Sequence, residues 1–493
     1  MTRVVFGVLA SILLNSGAFS QPLQVQFSSE PTQYDPLFLE DGVALKLAAN
    51  TLGTLYYYDG KGERKKGLVD SYTRSRDRLH YTFRFKPWLK WSDGKPFHAE
   101  HFVLALKRLT EEPIKGALSD LYPRIDLKKT RATDSRTAEV YLQEADEQLL
   151  NWLTMPPFAP IRADILESYS KTRSPVVPTL GAYRITEYQR DGFLMLKKNP
   201  EFFEHELVSI EEVKIRFLSE EGTLLPLLKA GSIDILTRVP VLQHKEISEI
   251  ATVFDVPVEA VTYLAFNTKK PPFNELKNRI AVRNSLLIPK RIELARLLKT
   301  GEVGAASYVP VLLAPGGYRR EWNVMPEKVA EKVEFTIQSD QSSRNSTILE
   351  YVQSEFKSAL GWKPRLDLLD WKAHYAKLKS DPAEMYRFGW QNPVSDPSIV
   401  YGVLTEKSPN NFTGWSNKEF DGLVEDLRQE NRMVKRSKII YELESILWDE
   451  APVVPLLHQA LRFAVSKRVA GVRANPFGVI LFRELRLNST LGR

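Results

Sequence analysis

Residues 81–109 read YTFRFKPWLKWSDGKPFHAEHFVLALKRL. Tyr81, Phe83 and Phe85 alternate with polar residues, the period of a half-buried strand. Asp93-Gly94 is a turn dipeptide: Ser92 and Asp93 supply side-chain hydrogen bonds, and Gly94 accepts positive φ where the chain reverses. Trp88 and Trp91 flank the turn and are expected to pack beneath it. Beyond it the apolar spacing changes to Phe102, Leu104, Ala105 and Leu109, one face of a helix with Glu100 in its first turn. A single stretch passes from strand to turn to helix.

The same mixture recurs elsewhere. Val213, Ile215 and Phe217, and Val333, Phe335 and Ile337, alternate as strands do. Ile439, Ile440, Leu443, Ile446 and Leu447 share one face of a helix that ends before Pro452. Residues 224–228, followed by Ala230-Gly231, read as a short helix with a glycine stop. Strands and helices alternate without a fixed βα period or internal repeat, so the class is mixed α/β. Pro- and Gly-rich loops fall at 155–160, 174–182, 309–317 and 392–397.

The chain of 493 residues is too long for one ordinary core and implies two or three domains. Its 43% hydrophobic and 26% charged content are those of a soluble globular protein. Basic residues exceed acidic ones by seven but are scattered, without the clustered footprint of a nucleic-acid binder.

Arg3, the apolar run at 4–14 broken only by Ser11, and Ala18-Phe19-Ser20 form a secretory signal with cleavage before Gln21. The run is too short to anchor the chain in a bilayer. No cysteine is present, which excludes disulfides, thiolate metal sites, Cys nucleophiles and the lipid-acceptor cysteine of a lipoprotein. The expectation is a periplasmic protein without a lipid anchor.

Gly-x-Ser-x-Gly, the P-loop and His-Glu-x-x-His are all missing, so the chain reads as non-enzymatic. His98 and His101 lie three apart, a spacing a metal can use on a helix. They sit at a helix start, and the reading preferred is a pair of surface histidines. No cofactor or metal is expected.

Residues 68–72 (LVDSY) together with 81–100 resemble the signature stretch of the extracellular solute-binding proteins of the peptide/nickel group, which include oligopeptide- and dipeptide-binding proteins. LGAYRI at 180–185 with NPEFF at 199–203, KAGSIDI at 229–235, YLAFNT at 263–268 with PPF at 271–273, and WDEAPVVPL at 448–456 continue the resemblance in order. It implies an α/β, two-lobed periplasmic binding protein of the Venus-flytrap fold, with a subdomain inserted in the first lobe. Lobe I would comprise 21–60, 180–262 and 470–493, the inserted subdomain 61–179 and lobe II 263–469. Two strands would cross between lobes near 263–268 and 461–466, forming a hinge. A ligand touching both lobes then favours the closed state, which an ABC importer recognises.

The resemblance also points to ligand-binding residues in LDW (369–371) and YRFGWQNPVSDP (386–397). Trp371 and Trp390 match two tryptophans that flank the ligand, although core packing is the alternative for both. Arg387 matches an arginine of the oligopeptide site, Asn392 lies in the same segment, and Asp396-Pro397 matches an acidic-Pro pair. Tyr263 and Asn267 are hinge candidates, and Glu40, in 39–43, belongs to a stretch whose backbone edge would face the ligand. Pro393 occupies the position at which peptide binders carry the aspartate that pairs with the ligand's ammonium. Either Asp396 or Asp370 takes the amine, or the ligand lacks a free amine, or the cleft serves another solute.

The expected partners are a peptide or peptide-like small molecule and the permease subunits of an ABC importer, with no nucleic acid and a monomeric state. The alternatives are a receptor for a nickel chelate, haem, sugar or opine-like compound, and a stand-alone regulatory or chaperone-like periplasmic protein.

Overall fold

Among the described residues eleven strands build one large sheet shared by two halves of the molecule. The structure is a computed structural model that describes residues 21–39, 41–111, 122–172, 174–314 and 333–488. Residues 1–20, where a secretory signal is expected, and Glu40 lie outside the described residues. The strands follow the order Arg365–Leu369, Thr336–Asp340, Met385–Gln391, Ala251–Phe266, Val453–Ser466, Ile235–Leu236, Leu23–Phe27, Glu212–Phe217, Phe193–Lys198 and Tyr183–Gln189. Val303–Gly304 pairs with Val453–Ser466 off this path.

Only Ala251–Phe266 and Val453–Ser466, of 16 and 14 residues, are long enough to belong to both halves of the sheet. They run antiparallel, and their register breaks once between the halves. Pro257 faces Ala460 and Val261 faces His458, so Val258, Glu259 and Ala260 stand opposite Gln459 alone. Such a bulge bends a strand and strengthens its twist. It divides two lobes. In the first, Leu23, Val25, Val213, Ile215, Phe463 and Val465 share a core. In the second, Val261, Tyr263, Phe388 and Trp390 pack on one face, and Leu264, Phe266, Met385 and Leu456 on the other. The expected crossings at 263–268 and 461–466 are therefore displaced. Tyr263 and Phe266 lie inside the second lobe, and Leu461 to Ser466 pair within the first. The bulge that sets the crossing has no periodic signature.

The stretch at 81–109 folds into a subdomain. Val69–Arg74, His80–Phe85, Thr137–Tyr141 and Arg131–Asp134 form its antiparallel sheet, covered by the helix Ala99–Glu111. Tyr81, Phe83, Phe85, Phe102 and Trp152 fill the core between them. Gly94 adopts φ 82°, and Arg162 grips Asp93 with two hydrogen bonds of 2.9 Å while lying over Trp91. Trp91 is buried as expected. Trp88 is not: it sits at φ 56° and is 90% exposed, because the left-handed backbone after the strand turns its ring outward.

Val394 and Ile399 of the second lobe are buried in the same apolar cluster as the subdomain core. Arg428 pairs with Asp146 at 3.4 Å, and Arg78 donates to the Gln429 carbonyl at 3.0 Å. The lobes thus meet on the subdomain side of the crossing strands.

Candidate functional site

The strand Met385–Gln391 pairs along its whole length with 260–266 of the first crossing strand. On its other side Thr336–Asp340 reaches only Met385 and Tyr386. From Arg387 to Gln391, the backbone N–H and C=O groups on that side have no strand partner among the described residues. An open strand edge of this kind accepts another extended backbone. Side chains alternate about it, with Arg387, Gly389 and Gln391 on one face and Phe388 and Trp390 on the other.

Arg387 is 8% exposed and donates to Asp340 Oδ1 at 2.8 Å, while its Nε has no partner. Burial, with the Arg344 charge nearby, pushes its guanidinium down to about 10. Arg344, at the start of helix Ser343–Leu360, pairs with the buried Glu302 and donates to Thr262 Oγ1 at 3.2 Å. Gln459, opposite the bulge, also donates to Thr262 Oγ1, at 3.0 Å. Glu302 lines a groove of about 700 Å³ between Val241 and His244 of the first lobe and Ile292 and Val303 of the second. Arg462 of the second crossing strand borders the same groove. Arg344, Glu302, Thr262 and Gln459 were absent from the sequence expectations. They come from four distant segments, and no local pattern links them.

Trp371 opens the helix Trp371–Ser380 and is 52% exposed, lying nearly parallel to Tyr375 (centroids 5.5 Å) and Phe388 (6.3 Å). Trp390 is 7% exposed, with its Nε1–H lacking an acceptor. Trp371, Arg387 and Trp390 thus gather around the open edge.

The remaining expected residues are placed differently. Tyr263 is buried against Tyr308 and Phe388. Asn267 braces a loop, donating to the Pro382 carbonyl at 3.1 Å and accepting from the Lys269 N–H. Asp370 is exposed and caps its helix by accepting from the Ala373 N–H at 3.1 Å. Asp396 is buried, accepts from the Ser398 N–H at 2.8 Å and pairs with Arg436. It is already neutralised by a cation of the protein. Asn392 donates through Nδ2 to the Val394 and Asp396 carbonyls at 2.6 and 2.9 Å, holding the chain around Pro393.

The histidine pair at 98 and 101 is more enclosed than a surface pair. His101 Nδ1 accepts from the His98 N–H at 3.1 Å and Trp91 Nε1–H at 3.3 Å, and burial holds its ring down to about 4. A doubly committed Nδ1 is a structural acceptor.

Two other histidines support the site from behind. His374 bonds to Gln338 at 3.0 Å beneath Phe388, and His458 bonds to the Ser307 carbonyl at 2.9 Å beside Gln459. Burial pushes both rings down to about 4, whereas an unfolded histidine titrates near 6.5. The unfolded chain therefore binds more protons between these values, and stability is complete above about 6.5 and falls as pH drops toward 4. Each histidine is expected to cost on the order of 2 kcal/mol between pH 7 and 5. Urea unfolding at the two pH values checks this, and His374→Gln with His458→Gln removes the share of these two rings while that of His101 remains.

Residues 63–412 match the family described as bacterial extracellular solute-binding proteins, family 5 Middle. The oligopeptide-binding protein OppA of Bacillus subtilis is 23% identical, over 94% of this chain and 92% of its own length. The probable deoxycholate-binding periplasmic protein YgiS of Escherichia coli is 24% identical over 94% and 92%. The solved Escherichia coli murein tripeptide binding protein MppA superposes with TM-score 0.79 at 21% identity, covering 95% of this chain and 99% of that one.

Proposed function

The chain belongs to the bacterial extracellular solute-binding proteins of family 5, and from that premise we propose that it captures a peptide or peptide-like ligand in the periplasm and delivers it to an ABC importer. The single observation carrying this reading is the open edge of Met385–Gln391, with Trp371 and Arg387 beside it. A peptide added along that edge satisfies its backbone groups without regard to sequence. The uncommitted Arg387 Nε and Trp390 Nε1 donors suit the carbonyls and carboxylate of such a ligand.

In this reading the lobes divide at 258–260 and at Gln459, so closure needs backbone rotation at a few residues only. The protein works as a monomer that presents its closed form to permease subunits.

Native mass spectrometry of protein purified from the periplasm, without denaturation, tests the ligand class. The expected result is a retained mass that fragments into amino-acid residues. Retention of a bile acid, metal chelate, haem or sugar instead would replace the peptide reading, and failure to retain any peptide from a di- to pentapeptide panel would remove it.

A further inference from the structure

We propose that Glu259 is the anionic partner of a cationic amino group on the ligand, the charge that Pro393 does not provide. This rests on the peptide-like reading above. Glu259 lies in the bulge of the first crossing strand, where three residues face one. Its N–H donates to the Pro476 carbonyl of the first lobe at 3.0 Å, and its carbonyl accepts from the Asn392 N–H of the second at 2.7 Å. It is tied to both lobes at the point about which they turn, one residue from Pro393.

Its side chain is 2% exposed. Oε1 accepts from Ser395 Oγ at 2.6 Å, the Asn392 amide lies beside the carboxyl, and Oε2 makes no close hydrogen bond among the described residues. Asn392 Oδ1 also lacks a donor, its own Nδ2 being spent on the two carbonyls. Two acceptor oxygens on residues joined backbone to backbone are thus left without hydrogens, and a protonated amine brings three N–H donors and the missing positive charge.

Among the described residues no cation acts on Glu259. The titratable groups facing Glu259 are Asp396, already paired with Arg436, and the Tyr58 hydroxyl of the first lobe. Burial accordingly lifts the Glu259 carboxyl to about 7. At pH 7 about half of the molecules therefore carry a buried carboxylate without a counter-charge, a cost that protonation relieves in the free protein and an arriving cation relieves in the complex. Asp370 is exposed at a helix cap and Asp396 is neutralised, so neither competes for the role. An arriving ammonium stabilises the ionised form, so binding near pH 7 releases protons and strengthens as pH rises through 7.

Isothermal calorimetry is run with a mixture of tri- to pentapeptides bearing free amino termini and with the same mixture N-acetylated. Wild type is expected to favour the free amines at least tenfold. Glu259→Gln is expected to lose that preference while its affinity for the acetylated set stays within about threefold. In buffers of different ionisation enthalpy at pH 7, wild type releases about half a proton on binding the free amines and Glu259→Gln close to none. Unliganded Glu259→Gln should melt no lower than wild type, because it removes a buried unpaired charge.

A variant that keeps the free-amine preference, or a wild type that binds both sets equally, overturns the role of Glu259 and leaves peptide capture standing. If wild type binds neither set, peptide capture itself fails and this proposal with it.

Discussion

Arg436→Ala is expected to lower stability by about 3–5 kcal/mol, measured as a fall in the urea midpoint of the second lobe. Asp396 is 4% exposed, and burial already pushes its carboxyl upward in pKa. Its two jobs are structural. One oxygen caps the helix Pro397–Gly402 through the Ser398 N–H, and the other meets Arg436. That short helix sends Ile399 into the subdomain core and Val400 and Tyr401 into the core of the second lobe. Arg436 also donates to the Leu427 and Glu430 carbonyls at 2.7 and 2.9 Å, fastening Lys418–Gln429 to Met433–Glu450. Deleting the guanidinium leaves a charge stranded in an apolar setting, the costly half of a broken buried pair. Arg436→Met combined with Asp396→Asn keeps the cap without the charge and should recover much of the loss. An Arg436→Ala protein of unchanged stability and altered ligand affinity would instead return Asp396 to the binding site.

Trp371→Ala is expected to show the opposite division. Its ring is half open and lies over Phe388 and Tyr375, so truncation should change unfolding free energy by less than about 1 kcal/mol. Ligand affinity should fall about 30-fold or more, the 2 kcal/mol of an aromatic hot spot. Trp390→Ala provides the contrast. As a residue 7% exposed, it should cost about 3–5 kcal/mol of stability as well as binding. Calorimetry with the ligand recovered by native mass spectrometry, alongside urea unfolding, separates the two. Undiminished binding by Trp371→Ala would remove the aromatic platform from the account.

Elements whose periodicity and punctuation are local could be read from the chain. The strand His80–Phe85, the turn at Gly94 and the helix Ala99–Glu111 follow one another as residues 81–109 suggest. The helix Met433–Glu450 ends at Ala451, which adopts φ 45° just before Pro452. Val333 and Phe335, by contrast, precede their strand, which begins at Thr336.

Long-range pairing was not readable. Asp396-Pro397 announces a helix start, but its counter-ion stands 40 residues away. Arg344 and Glu302 are separated by 42 residues. Glu259 sits among Val258, Ala260 and Val261, with no local pattern to single it out. The bulge, visible only as a register shift between two chain segments, turns it into the lobe junction. The open edge has the same origin, since it depends on where Thr336–Asp340 stops pairing.

Two lobes hinged at 258–260 and Gln459 are expected to shut on a small ligand. The cysteine-free chain allows spin labels at Leu242→Cys and Leu297→Cys, exposed positions next in sequence to Val241 and Arg296, which line the groove. Pulsed dipolar spectroscopy then reads the distance between them with and without the recovered ligand. The distribution should shorten and narrow on binding. An unchanged distribution at saturating ligand would contradict closure about this hinge.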